Sequence, residues 1–101
     1  MHPREVLDVT ISGDLCRRAF RHRRKGAHRR AMLVLRQAAH ADEGDARIWT
    51  LYGAQCMRTG QLDSAARALT HAAWLRDREG AVAKARTTRA VLARIIGHRA
   101  A

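Results

Sequence analysis

Shifted by 34 residues, this chain partly repeats itself. Residues 12–45 laid on 46–79 place Gly26 on Gly60, Ala31 on Ala65, Leu35 on Leu69, Ala38 on Ala72, Ala39 on Ala73 and Arg24 on Arg58. Leu15 also falls on Trp49, and Ala19 on Gly53. A period of this length selects stacked supersecondary units, each unable to bury its apolar face alone. Composition says which unit. Ala and Arg dominate, the aromatic share is only 4%, and the single proline is Pro3. Ala and Arg favour helix, and no later proline ring interrupts one. The Val, Ile, Thr and aromatic content of a β-sandwich is missing. The expectation is an all-α fold of about five helices.

The second copy explains itself physically. Trp49, Tyr52, Gly53 and Cys56 recur at i, i+3, i+4 and i+7, which predicts an amphipathic helix over 46–59. Asp45 stands where its carboxylate caps that helix, and Gly60 supplies the positive φ that ends it. A second helix is predicted over 61–75, with Leu62, Ala65, Ala66, Leu69, Ala72 and Ala73 facing inward. Gly53 and Ala65 are small where the two helices cross, and Trp49 is expected to fill the larger space above them. A closing helix is predicted over 80–96, with Ala81, Ala85, Leu92 and Ile95 on one side and Val91 and Ile96 flanking. The domain thus spans 12–96, leaving an N-terminal segment 1–11 and a tail 97–101. Val6–Ile11 is apolar and β-leaning. It either packs over the first helix, belongs to an interface, or begins that helix.

The run Trp49-Thr50-Leu51-Tyr52-Gly53, followed by Gly60, Ala65, Leu69 and Ala72, resembles the tetratricopeptide repeat. The first copy matches through Leu15, Ala19, Gly26, Ala31, Leu35 and Ala38 but carries Arg18 and His22 at positions normally apolar. Asp77 stands in place of the usual proline, and Cys56 where an aromatic is common. The resemblance implies two helical hairpins closed by one helix, an α-solenoid whose first helices line a concave groove. Carried over position by position, the groove residues are Cys16, Phe20, Arg23 and Arg24, then Arg47, Thr50, Ala54, Met57 and Arg58, then Lys84, Thr88 and Val91. Arg and Lys there offer charge-assisted bonds, and Phe20 and Met57 offer apolar contact. The implied function is non-catalytic: an adaptor, chaperone or assembly subunit docking an acidic, partly apolar protein segment. The carboxylate-clamp positions of the family hold Cys16, Phe20 and Leu51, so capture of a C-terminal carboxylate is not expected. A stack this short is expected to need self-association or a larger complex for full stability.

Charge offers a rival surface. The net charge is +11, yet residues 15–41 hold nine basic side chains and no acid. Within that stretch Arg17, Arg18, Arg21, Arg24, Lys25, Arg29 and Arg30 could neutralise a phosphate backbone without reading sequence. Only Phe20 interleaves the arginines, whereas single-strand binders stack bases on several rings. Arg outnumbers Lys by 18 to 2, a bias that GC-rich coding produces without selection for binding.

Other classes find little in the sequence. No apolar run approaches the roughly 18 residues of a membrane span. The first residues lack the apolar stretch of a secretory signal. Two cysteines are too few for a disulfide framework, so free thiols in a cytoplasmic protein are expected. No phosphate loop, HExxH, GxSxG or CxxC occurs. The six histidines lack i, i+3 or i+4 partners, so no metal or cofactor is expected. Cys56 and His71 fall on adjacent helices, where a packed thiol beside a surface imidazole is the simpler expectation.

Overall fold

The computed structural model describes the backbone of residues 3–100 and the side chains of residues 11–98. Five α-helices follow one another: α1 (Pro3–Arg24), α2 (His28–Ala41), α3 (Ala46–Arg58), α4 (Leu62–Arg78) and α5 (Val82–Ala100). No strand occurs among the described residues. Each helix packs on the next in sequence, and the short turns make neighbours antiparallel. The Cα envelope measures 46 × 36 × 17 Å. Its thin dimension is that of two helix layers, with α3 and α5 lining one side and α2 and α4 the other.

Several boundaries differ from expectation. The helix predicted over 61–75 continues to Arg78, since Asp77 offers no proline ring to stop it. The helix predicted over 80–96 starts at Val82 and runs on to Ala100, so 97–100 is not a separate tail. At the other end α1 begins at Pro3, where a proline suits the first helical turn. Residues 3–11 therefore start the first helix. Whether they also cover it or meet a partner is a matter of side chains outside the described residues.

Three turns share one geometry. Gly26, Gly60 and Gly80 have φ of 79°, 77° and 76°. After each, the next amide reaches back to the third-last helical carbonyl: Ala27 to His22 at 2.9 Å, Gln61 to Cys56 and Ala81 to Arg76 at 2.8 Å. This is the Schellman closure, and it needs a left-handed residue. A β-carbon on Gly60 would touch nothing within 4 Å, so the demand is purely conformational. Gly60→Ala is expected to lose about 1–2 kcal/mol, read by urea denaturation.

The core is small-residue packing around a few large side chains. Ala19, Ala31, Ala38, Ala39, Ala65, Ala72 and Ala85 are fully excluded from solvent, with Leu35, Cys56 and Leu69 among them. Gly53 lets α3 approach α4: an added β-carbon would meet Leu69 Cγ and Cδ2 at 2.8 Å. Asp45 caps α3 by accepting from the Ile48 amide at 3.2 Å. Trp49, one turn before Gly53 on α3, is half-buried against the core and donates from Nε1 to the Glu43 carbonyl at 2.9 Å.

Folding also sorts the charges. Gln55 Nε2 donates to the His28 carbonyl at 2.8 Å, and Thr59 Oγ1 lies 3.1 Å from Met32 Sδ. Met57, Leu62, Arg94, Ile95 and His98 wall a common cavity of about 400 Å³. These contacts bring the ends of α1, α3 and α5 together with the starts of α2 and α4. Arg21, Arg23, Arg24, Lys25, Arg29, Arg30, Arg58 and Arg94 are exposed around that end. The α2–α3 and α4–α5 turns meet at the opposite end, where Asp42, Glu43, Asp45, Asp77 and Glu79 lie. The molecule therefore has a basic end and an opposite end that holds most of the described carboxylates, mixed with Arg47, Arg76 and Arg89.

Candidate functional site

Part of the groove expected from sequence lines one cleft. Thr50, Ala54 and Met57 of α3 face Thr87, Thr88 and Val91 of α5 across a cleft of about 130 Å³, floored by Leu69 of α4. Positions 50, 54 and 57 share one side of a 3.6-residue helix, as do 84, 87, 88 and 91. Beyond Thr50 and Thr88 the cleft opens into a cavity of about 310 Å³ lined also by Arg76, Ala83, Lys84 and Thr87. Six expected residues thus converge: Thr50, Ala54, Met57, Lys84, Thr88 and Val91.

The cleft is less polar than its three threonines suggest. Thr50 Oγ1 donates to the Ala46 carbonyl at 2.8 Å, Thr88 Oγ1 to Lys84 O at 2.8 Å and Thr87 Oγ1 to Ala83 O at 3.1 Å. Each hydroxyl is tied to its own helix, so it can accept from a ligand but has no spare proton to donate. The walls offer methyl groups and the Met57 thioether, which adapts its shape to what enters. Charge enters only at the open end, through Lys84 and Arg76. The Arg76 guanidinium lies 4.0 Å from Glu79.

The remaining expected residues go elsewhere. Phe20 is half-buried against the core, with the Arg23 guanidinium 5.3 Å from its ring centroid. Neither lines the cleft, and neither does Arg24 at the exposed end of α1. Arg58 belongs to the basic end. Arg47 lines a cavity at the opposite end with Asp42, Asp45, Arg76 and Glu79. Cys16 is buried in the core, within the field of Arg47. The rival set fares differently: Arg17, Arg18, Arg21, Arg24, Lys25, Arg29 and Arg30 are all exposed. Arg17 pairs with Asp14.

Sequence reading missed Arg76 and Thr87. Thr87 was discoverable, since it lies one turn beyond Lys84 and one before Val91 on the same helical face. Arg76 carried no such signal, because α4 was expected to end before it.

Cys56 and His71 do not meet in a nucleophile–base pair. Cys56 exchanges a hydrogen bond with Tyr52, while the His71 ring stands edge-on to Trp49 at 4.8 Å. Burial pushes the thiols of Cys16 and Cys56 and the phenol of Tyr52 above their ordinary values. For Cys56 the Tyr52 hydrogen bond and the Arg36 and Arg67 charges only partly oppose this. The folded state thus holds these protons more tightly than the unfolded chain. Their contribution is fully present below the unfolded thiol value of about 8.5 and is lost as pH rises past it. Urea stability is expected to fall between pH 7 and 9.5, and replacing both cysteines by Ala is expected to flatten that fall.

No three His, Cys, Asp or Glu side chains gather as a metal site among the described residues, and no described helix is long and apolar enough to cross a membrane. Comparison of the chain with protein-family models, with curated proteins and with solved structures finds no match in any of the three.

Proposed function

We propose that this chain is a non-catalytic protein-binding module of tetratricopeptide type, serving as an adaptor, chaperone or assembly subunit. Its partner segment carries an apolar side chain for the α3–α5 cleft and a neighbouring acid for Lys84 and Arg76. The observation that carries this reading is the convergence of Thr50, Ala54, Met57, Thr87, Thr88 and Val91 on one apolar cleft whose open end holds two cations. Apolar lining with a few placed polar groups is the general form of a binding site. Phe20, Arg23 and Arg24 do not line this cleft; they would act on a longer segment that continues toward α1.

The basic end supports a second reading, in which the chain associates with nucleic acid through its phosphates. Eight exposed cations converge there from three helix ends, the α1–α2 turn and the start of α2, a clustering that raises the local concentration of any polyanion.

One experiment tests both. The tagged full chain is used to capture partners from its native lysate, with and without nuclease, at moderate and high salt. A stoichiometric protein that survives nuclease and is lost with Met57→Glu supports the cleft. Capture unchanged by Met57→Glu overturns it. Material lost on nuclease, and lost with Lys25→Glu/Arg29→Glu/Arg30→Glu, supports the basic end instead.

A further inference from the structure

A second site lies on the other layer of the molecule. Trp49 and Tyr52 leave α3 on a different side from Thr50, Ala54 and Met57. With Arg36 and His40 of α2 and Ser64, Arg67, Ala68 and His71 of α4 they line a cavity of about 400 Å³. Its chemistry is one-sided. The walls carry two guanidiniums, two imidazoles, an indole, a phenol and a hydroxyl, and no carboxylate.

The cavity has a cationic part and a ring-lined part. Arg36 of α2 and Arg67 of α4 both line the cavity. The Ser64 hydroxyl lies within hydrogen-bond reach of the Tyr52 side chain and 3.4 Å from Arg67 Nη2. On the remaining wall, Trp49 stands edge-on to His40 at 5.7 Å and to His71 at 4.8 Å, and His71 stacks on Trp74 at 5.7 Å. Glu43 holds this wall from the rim. Its carbonyl oxygen accepts from Trp49 Nε1 and lies 3.3 Å from His71 Nε2, and its carboxylate lies 3.9 Å from His40 Nδ1.

We propose that this cavity binds a phosphomonoester that also carries an aromatic ring. Two planar guanidinium forks and two hydroxyls offer more donors than the two oxygens of a carboxylate can use, whereas a phosphate presents three terminal oxygens. The cavity is also larger than a phosphate fills, and its indole and imidazole edges suit a ring in the rest of the space. The ring could belong to a phosphorylated tyrosine on a protein or to a free nucleoside monophosphate. The site does not depend on the cleft on the opposite layer.

Trp49 is a reporter inside the cavity, and Trp74→Phe leaves it as the single tryptophan. Phenyl phosphate titrated into the Trp74→Phe protein is expected to change its emission saturably, with a Kd of roughly 0.1–1 mM for a ligand of this size. Arg36→Gln and Arg67→Gln are each expected to weaken binding by about tenfold or more. Both residues are exposed, so the fold tolerates the change, and circular dichroism checks it. Arg86→Gln, exposed on α5, is expected to leave binding unchanged. A phosphotyrosine peptide and adenosine monophosphate, titrated separately, identify which source is preferred, and tighter binding of either supports the site. Three results overturn the proposal. These are no saturation below about 10 mM, equal losses in all three Arg variants, and phenylacetate binding as tightly as phenyl phosphate.

Discussion

Leu69→Ala is expected to cost about 3–4 kcal/mol, read as the loss of urea stability and a fall in Tm of roughly 15–25 °C. The side chain is 3% exposed and belongs to the continuous core. It sits under Gly53, with Cδ2 and Cγ inside what would be a β-carbon's contact distance. Few neighbours can collapse into the space it vacates, because the surrounding core is mostly alanine and has little side chain to move. Since a domain of this size is stable by only about 5–15 kcal/mol, the variant is expected to stand near its unfolding threshold. Ile96→Ala provides the contrast: at 52% exposed it is expected to change stability by no more than about 0.5 kcal/mol. Leu69 also floors the α3–α5 cleft. The same substitution is therefore expected to deepen that cleft and alter which apolar side chain it admits.

Gly53→Val is expected to cost about 2–3 kcal/mol by the opposite mechanism. Its β-carbon would lie 2.8 Å from Leu69 Cγ, and two further methyls follow. Either Leu69 leaves its rotamer or α3 and α4 move apart. A gain of a few tenths of a kcal/mol in helix propensity over glycine offsets little of this. The two predictions are coupled. In the Gly53→Val/Leu69→Ala protein, the valine occupies space the leucine left. The double variant is expected to lose at least about 1 kcal/mol less than the sum of the single losses. Strict additivity in denaturation experiments would mean that the close approach of α3 and α4 at this point does not determine either cost.

These energetics bear on function because the cleft and the outer cavity share α3 and α4 as walls. A binding surface built on packed helices inherits their precision. Thr50, Ala54 and Met57 are placed by the same Gly53–Leu69 contact that holds Trp49 and Tyr52 on the other side. Changes at that contact are expected to disturb both sites, whereas Met57→Glu and Arg36→Gln address one site each.

Much of the fold was legible in the residues. The 34-residue period, the Ala-rich inner faces and the absence of proline after Pro3 predict helical hairpins. Gly60 predicts a left-handed turn, and Asp45 a cap; both are local, since each depends on atoms within a few residues along the chain. The pairing of small Gly53 with Ala65 was legible too, because a repeat places them at the helix crossing. Boundaries were less so. The end of α4 is set by the left-handed Gly80 closure, two residues beyond Arg78, rather than by a proline at position 77.

The sequence by itself determined the helices, their hairpin turns and the small residues at their contacts, because these follow from spacing and backbone conformation within one or two turns. Only the tertiary structure decided which side chains share a surface. The linear charge map showed basic and neutral segments. Stacking antiparallel helices instead collected cations from three helix ends, one turn and one helix start on one side, and carboxylates from two turns on the other. In the same way Arg36, Trp49 and Arg67, from three different helices, were brought around one cavity. Such neighbourhoods depend on the rotation and offset of each helix against the next, which are settled by the summed packing of the whole core rather than by any single motif.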